Sequence, residues 1–292
     1  MSTDDSLSAS LDLLRRLPPQ AVANNLDKLA TLVPEDVQDD LVSSVDVPLR
    51  VQVDKAAGGR EYLVCDYNRD GDSYRSPWSN TYDPPLPDGT EPSPKLRKLE
   101  VAMNDAFDVY RDLYYEGGVS SVYLWDVDDG FAGVVLVKKT SDAGASTSSW
   151  DSVHVFESSE RGRTASYKLT STVMLYMTKP LKPGQGQQGA EGAPTTEGEV
   201  QLGGSMTRQH ELSAPLDPTS ASSLEQSHVV NVGRMVEDME IKMRNLLGEV
   251  YFSKTKDIIS SLRSPAGFGE AAKQRALQGE LVGLLKGRRV AA

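Results

Sequence analysis

The spacing of hydrophobic positions along the chain runs from helical, through alternating, and back to helical. Leu7, Leu11 and Leu14 share one helical face before Pro18-Pro19, Val22, Leu26, Leu29 and Val33 share another before Pro34, and Val37 and Leu41 continue the pattern. Prolines thus punctuate a small antiparallel bundle of short helices over residues 5–44. From Glu61 to Pro94 the chain turns to Asp, Asn, Gly, Ser and Pro, turn chemistry that predicts a short strand, Tyr62 to Cys65, within an irregular segment. A helix is predicted from Lys95 to Tyr115, with Leu96, Leu99, Met103, Phe107, Tyr110 and Tyr114 on one side, stopping before Gly117-Gly118.

Alternation then predicts strands at Val119 to Val127, Phe131 to Lys139, Trp150 to Glu157 and Arg163 to Met177, with Asp128-Asp129-Gly130 as a hairpin turn. Consecutive strands joined by short turns make an antiparallel meander. Lys179 to Glu199, rich in Gly, Gln and Pro, predicts a flexible loop before a last strand at Val200 to Leu202, and a polar linker covers Glu211 to Ser227. Helical spacing returns from Val229 to about Leu262, where Val232, Val236, Met239, Met243, Leu246 and Val250 recur alternately four and three residues apart. A seam on a helix about 50 Å long, at ~1.5 Å per residue, meets either another helix or the chain's own sheet. Beyond Pro265 and Gly267, Leu277, Leu281, Leu284 and Leu285 lie on one face of a separate C-terminal helix.

Charge changes the picture of that last helix. Residues 271–292 carry Lys273, Arg275, Lys286, Arg288 and Arg289 against Glu280 alone, a local +4 in a chain of 292 residues with a net −11. Such asymmetry points to an acidic partner or surface, an anionic membrane surface among them. The acidic whole disfavours a nucleic-acid coat, which needs clustered positive charge. Apolar runs such as Val134 to Val137 are far too short to span a bilayer. An acidic Met1-Ser2-Thr3-Asp4-Asp5 start is unlike a signal peptide, and Cys65 as sole cysteine excludes an internal disulfide; both fit a cytoplasmic protein.

Two motifs invite chemistry. Asp66-Tyr67-Asn68-Arg69-Asp70-Gly71 opens like a calcium loop, but Pro77 stands where the bidentate carboxylate belongs, so an Asx-rich turn is the competing reading. Gly71-Asp72-Ser73, with Asp151 and His154, resembles the nucleophile and Asp-x-x-His elements of the GDS-type serine esterases. A nucleophile turn should follow a buried strand directly, whereas Asn68-Arg69-Asp70 precedes Ser73, and His154 alternates with Val153 and Val155 as a strand residue does. His210 and His228 fall in or beside linkers, and no phosphate-binding Gly-rich loop occurs. The residues therefore predict no catalytic set, metal or cofactor, and favour an interaction protein.

The segment Cys65-Asp66-Tyr67-Asn68-Arg69-Asp70-Gly71-Asp72-Ser73-Tyr74-Arg75-Ser76-Pro77-Trp78-Ser79-Asn80, with Tyr82-Asp83-Pro84-Pro85, resembles the signature of the beta subunits of heterodimeric F-actin capping proteins. The likeness continues through Leu11 to Pro19, Tyr114 to Asp126 and Tyr167 to Leu175, and covers nearly the whole chain. Departures are the insertion at 179–199, the linker at 211–227 and Gly279, Gly283 and Gly287 in the tail helix.

The resemblance implies an α+β fold. Residues 1–60 would form an N-terminal helical stalk, and 61–227 the signature segment, a helix and an antiparallel meander sheet with flexible insertions. Residues 228–264 would form a long covering helix pairing with the alpha subunit, and 265–292 a mobile, amphipathic, actin-binding helix. It further implies an obligate heterodimer with a capping protein alpha subunit, a joint sheet, and an interface at Val232, Val236, Met239, Met243, Leu246 and Val250. Barbed-end capping without calcium or cofactor follows, by a non-enzyme of the actin cytoskeleton. Leu277, Leu281, Leu284 and Leu285 would enter an apolar cleft of terminal actin, with Lys273, Arg275, Lys286 and Arg288 steering. Lys242 and Arg244 match basic positions near the actin-facing surface. Regulatory peptides and acidic phospholipids are partners that relatives suggest.

Overall fold

Proline and turn residues divide the N-terminal helices as the sequence predicts. The computed structural model describes residues 3–17, 19–143, 146–180 and 199–249. Helices α1 (Thr3–Arg16), α2 (Val22–Ala30) and α3 (Glu35–Ser43) pack around Leu14, Val22, Leu26 and Leu41, with Leu7, Leu11, Leu29 and Val33 half-buried at the margin. Pro34, at φ −57°, caps the start of α3, where its missing N–H removes no helical bond.

Strands β1 (Arg50–Asp54) and β2 (Arg60–Val64) form an antiparallel hairpin turned by Gly58 and Gly59 at φ +72° and +84°. The sequence predicts β2 but not β1, whose Val51 and Val53 are 40% and 46% exposed and so carry no core signal. Within the segment expected to be irregular, short strands β3 (Arg69–Asp70), β4 (Ser73–Arg75) and β5 (Tyr82–Asp83) build a small sheet. Helix α4 (Pro94–Tyr115) starts from Ser93, whose Oγ accepts from Leu96 N, and ends at Glu116 in the left-handed conformation, φ +46°.

The meander follows: β6 (Val119–Val127), β7 (Gly130–Ala143), β8 (Ser146–Arg161), β9 (Thr164–Pro180) and β10 (Glu199–Pro215), in the sheet order β10-β9-β8-β7-β6, every pair antiparallel. Two expectations are corrected here. The last strand is not Val200 to Leu202 but a strand of 17 residues, and the first five residues of the expected linker, Glu211 to Pro215, are its far end. Helix α5 (Ala221–Leu247) begins eight residues before Val229, so the linker shrinks to the residues between Pro215 and Ala221. Residues 250–292, with Val250 and the tail helix, and 181–198 of the predicted loop lie outside the described residues.

Side chains alternate across the sheet. On one face Tyr123, Val134, Leu136, Val153 and Met174 pack with Leu49 and Leu63. On the other, His154 and Tyr167 reach α5 through the hydrogen bonds described below, Ser171 bonds His154, and Phe156 stacks edge-on against Phe131. Contacts divide the chain into two compact units, Met1–Glu240 and Ile241–Ala292. Among the described residues no helix is long and apolar enough to cross a membrane.

Candidate functional site

The signature segment is held by buried polar groups rather than by apolar packing alone. Asn68 Oδ1 accepts from Cys65 N at 2.9 Å and its Nδ2 donates to Arg75 O at 2.8 Å, closing the turn that precedes β3. Asp54 Oδ1 accepts from Ala56 N and Ala57 N, while its Oδ2 accepts from Ser76 Oγ and from Ser79 N. Burial alone would raise the Asp54 carboxyl pKa; these donors more than reverse it, leaving it below the ordinary value. Burial pushes the Cys65 thiol up to about 12, which keeps it protonated and unreactive.

Arg75 then joins this segment to α4. Its guanidinium forks onto Glu100 at 2.8 and 2.7 Å, with 5% and 0% of the two side chains exposed. Arg97 adds a second guanidinium, and Glu100 Oε2 also accepts from Leu124 N at 2.7 Å. One turn on, Asn104 bonds both backbone groups of Val122, at 2.8 and 2.9 Å. Glu100 and Asn104 sit on the apolar side of α4, and the interruption of that stripe is the signal that sequence reading passed over.

This arrangement removes both enzyme-like readings. Asp70 Oδ2 accepts from Thr90 N and Thr90 Oγ1, and Asn68 is committed to backbone, so two of the prospective calcium ligands hold the loop together instead. Asp151 and His154 point to opposite faces of β8: Asp151 meets Leu49 N at 2.9 Å and Lys138 Nζ at 2.7 Å, and His154 meets α5. A triad cannot be assembled from side chains divided by a sheet.

The α5 helix is fastened to the sheet by two polar groups. His154 Nε2 lies 2.8 Å from Glu240 Oε1, its Nδ1 lies 2.8 Å from Ser171 Oγ, and Tyr115 donates to Glu240 Oε2. Burial pushes the Glu240 carboxyl up, but His154, Ser152 and Tyr115 together bring it down to about 2. Nearer the start of α5, Tyr167 Oη lies 2.8 Å from His228 Nδ1 and accepts from Asn231 Nδ2 at 3.3 Å.

Between these points Val232, Val236 and Met239 are 1%, 0% and 3% exposed within this single chain. That corrects the interface expectation for them: they cover their own sheet and offer no area to a partner. Met243 is likewise buried, whereas Leu246 is 37% exposed. Lys242 is exposed and Arg244 half-buried. Leu277, Leu281, Leu284, Leu285, Lys273, Arg275, Lys286 and Arg288 lie outside the described residues.

The unsatisfied feature is the edge of the sheet. Along its length β10 pairs with β9, and among the described residues no strand pairs with its other side. Seventeen residues of strand thus present a long row of backbone donors and acceptors, the kind of edge that a folded protein covers or pairs.

Comparison with known proteins finds relatives over nearly the whole chain. The family model described as F-actin capping protein, beta subunit, matches residues 7–259. An F-actin-capping protein subunit beta from Aspergillus oryzae is 54% identical over 96% of this chain and 97% of its own length. The protein of the same description from Caenorhabditis elegans is 51% identical over 95% and 96%. Among solved structures, a homodimeric actin capping protein alpha subunit from Plasmodium berghei aligns over 91% of this chain and 98% of its own at 15% identity and a TM-score of 0.44. With a family model matching residues 7–259 and more than half of its residues identical to those beta subunits over nearly its whole length, the chain belongs to the family of F-actin capping protein beta subunits.

Proposed function

We propose that this chain pairs with a capping protein alpha subunit and that the heterodimer binds the barbed end of the actin filament, blocking subunit addition and loss without calcium. The observation that carries the pairing is the open edge of β10, 17 residues long, where a second subunit can extend the sheet by backbone hydrogen bonds. The interface therefore belongs on that edge, and Val230, 37% exposed on the side of α5 away from its buried stripe, adds apolar surface.

The actin contact belongs to Leu277, Leu281, Leu284 and Leu285 and to the basic Lys273, Arg275, Lys286 and Arg288, with Lys242 and Arg244 as secondary contacts. Their chemistry, an apolar stripe edged by positive charge in an otherwise acidic chain, suits an acidic surface with an apolar cleft. Calcium independence follows from the commitment of Asn68 and Asp70 to the loop itself. The reading places the protein in the cytoplasm, on the actin cytoskeleton.

The test is coexpression with an alpha subunit followed by elongation of actin from filament seeds with free barbed ends. The copurified pair should stop elongation equally in chelator and in calcium, and truncation after Phe268 should speed its dissociation from ends while leaving the pair intact. Unhindered elongation by a well-folded pair would overturn the reading.

A further inference from the structure

Residues 44–49 form a strap from α3 to β1 that ties the helical bundle to the sheet. Val45 and Val47 pack on the bundle core, and Leu49 enters the sheet core, where its N donates to Asp151 Oδ2 at 2.9 Å. Between the two valines, Asp46 lines a cavity of about 30 Å³ with Leu11, Leu14 and Val22 of the bundle and Thr172 and Thr207 of β9 and β10. The joint between bundle and sheet therefore closes around a carboxyl.

That carboxyl lacks what buried acids elsewhere in the molecule have. No lysine or arginine is among the residues lining the cavity. The Thr172 hydroxyl bonds Asp46, but it is shared with Thr207, whose Oγ1 lies 3.1 Å from its own. From the signature segment the charged group facing Asp46 is another acid, Asp66, while Cys65 and Tyr67, which also feel Asp46, are neutral, each with its pKa pushed up to about 12. Burial, aided by Asp66 and only partly offset by Thr172, raises the Asp46 carboxyl above the ordinary 3.8. Asp54 makes the contrast: Ala56 N, Ala57 N, Ser76 Oγ and Ser79 N all donate to it, and its pKa falls.

We propose that Asp46 makes the joint proton-sensitive: with the carboxyl protonated the bundle seats firmly on the sheet, and loss of the proton loosens it. The bundle and the sheet keep separate apolar cores, so the joint can loosen without unfolding either. The sign follows from linkage. A seated joint that holds the proton more tightly than an open one has its full stabilisation below pH 3.8 and loses it as pH rises through the raised value. Acidification thus clamps the bundle, opposite in sign to the effect of acid on Glu240.

The test is amide hydrogen exchange on the full chain copurified with an alpha subunit, read in peptides covering residues 7–17 and 41–49 from about pH 7.5 to about pH 4.5. Each variant is compared with the unaltered chain at the same pH, so the intrinsic exchange rate cancels. At the upper pH, Asp46→Asn should slow exchange in these peptides by a factor of about three or more, and the gap should close as pH falls. Thr172→Val, which keeps the shape but removes the donor, should speed exchange by a margin that also narrows as pH falls. Peptides from β7 should respond to neither variant, and exchanging sodium for potassium at fixed ionic strength should change nothing. If Asp46→Asn fails to fold, Thr172→Val decides the matter alone. Faster exchange in Asp46→Asn, margins independent of pH, or rates set by the alkali cation would overturn the proposal.

Discussion

Glu100 shows what a buried charge does in this molecule. It has no exposed surface, yet it serves Arg75, Arg97 and the Leu124 amide at once, so neutralising it takes the anionic partner from a buried guanidinium, Arg75, that keeps only Asn80 as a further side-chain acceptor. Breaking such a buried pair from one side costs about 3–5 kcal/mol. Glu100→Gln should therefore lower the midpoint of urea unfolding strongly; a shift worth less than about 1 kcal/mol would mean that water reaches Arg75. Glu240 gives the pH counterpart. Its carboxyl titrates at about 2 in the fold against 4.5 when unfolded, so its stabilisation is whole above pH 4.5 and drains away as pH falls toward 2. The amount is on the order of 3 kcal/mol, and Glu240→Gln should flatten the acid limb of a stability–pH curve across that interval. Neither role was legible in the sequence, where a single Glu on a helix reads as solvated surface. Only the fold brings His154 and Glu240 together across 86 residues.

Elements were legible where their side chains are buried and obscure where they are not. Val119 to Val127 and Phe131 to Lys139 mark β6 and β7 because both faces of these strands are buried, so apolar residues run together between turn signals. In β10 most side chains are half-buried or exposed, so Thr207, Arg208, Gln209 and His210 carry no periodic signal, and from Glu211 the chain reads as linker. The spacing of the α5 seam left open whether another helix or the chain's own sheet covers it, since spacing tells which side is apolar and not what covers it; Val232, Val236 and Met239 are buried within this chain. The end of α4 offers a local test. Glu116 holds a left-handed conformation that costs a non-glycine residue about 1 kcal/mol or more, and its carbonyl rather than its side chain receives Lys139 Nζ. Glu116→Gly should thus raise the melting temperature by a few degrees, and a fall would reveal a contact of the carboxylate that outweighs the strain.

For the whole molecule, the proposed interface lies at the sheet edge rather than at the buried seam, and this changes what the isolated chain should do. Its core is complete without a partner at Val232, Val236 and Met239, so the chain alone should keep its secondary structure by circular dichroism. Its exposed β10 should nevertheless make it self-associate with rising concentration, and coexpressed alpha subunit should suppress that association. A lone chain that stays monomeric at high concentration would show the edge to be protected by the chain itself. The strictly sequential strand order also bears on how the protein is made. Each new strand closes a hairpin on the one before it, so the sheet can grow in step with synthesis, by pairings of short sequence span that form quickly. At every stage the growing edge is the newest strand, and the one left open at the end is the last to leave the ribosome. Subunit pairing can then continue the same zipping motion with a strand from another polypeptide.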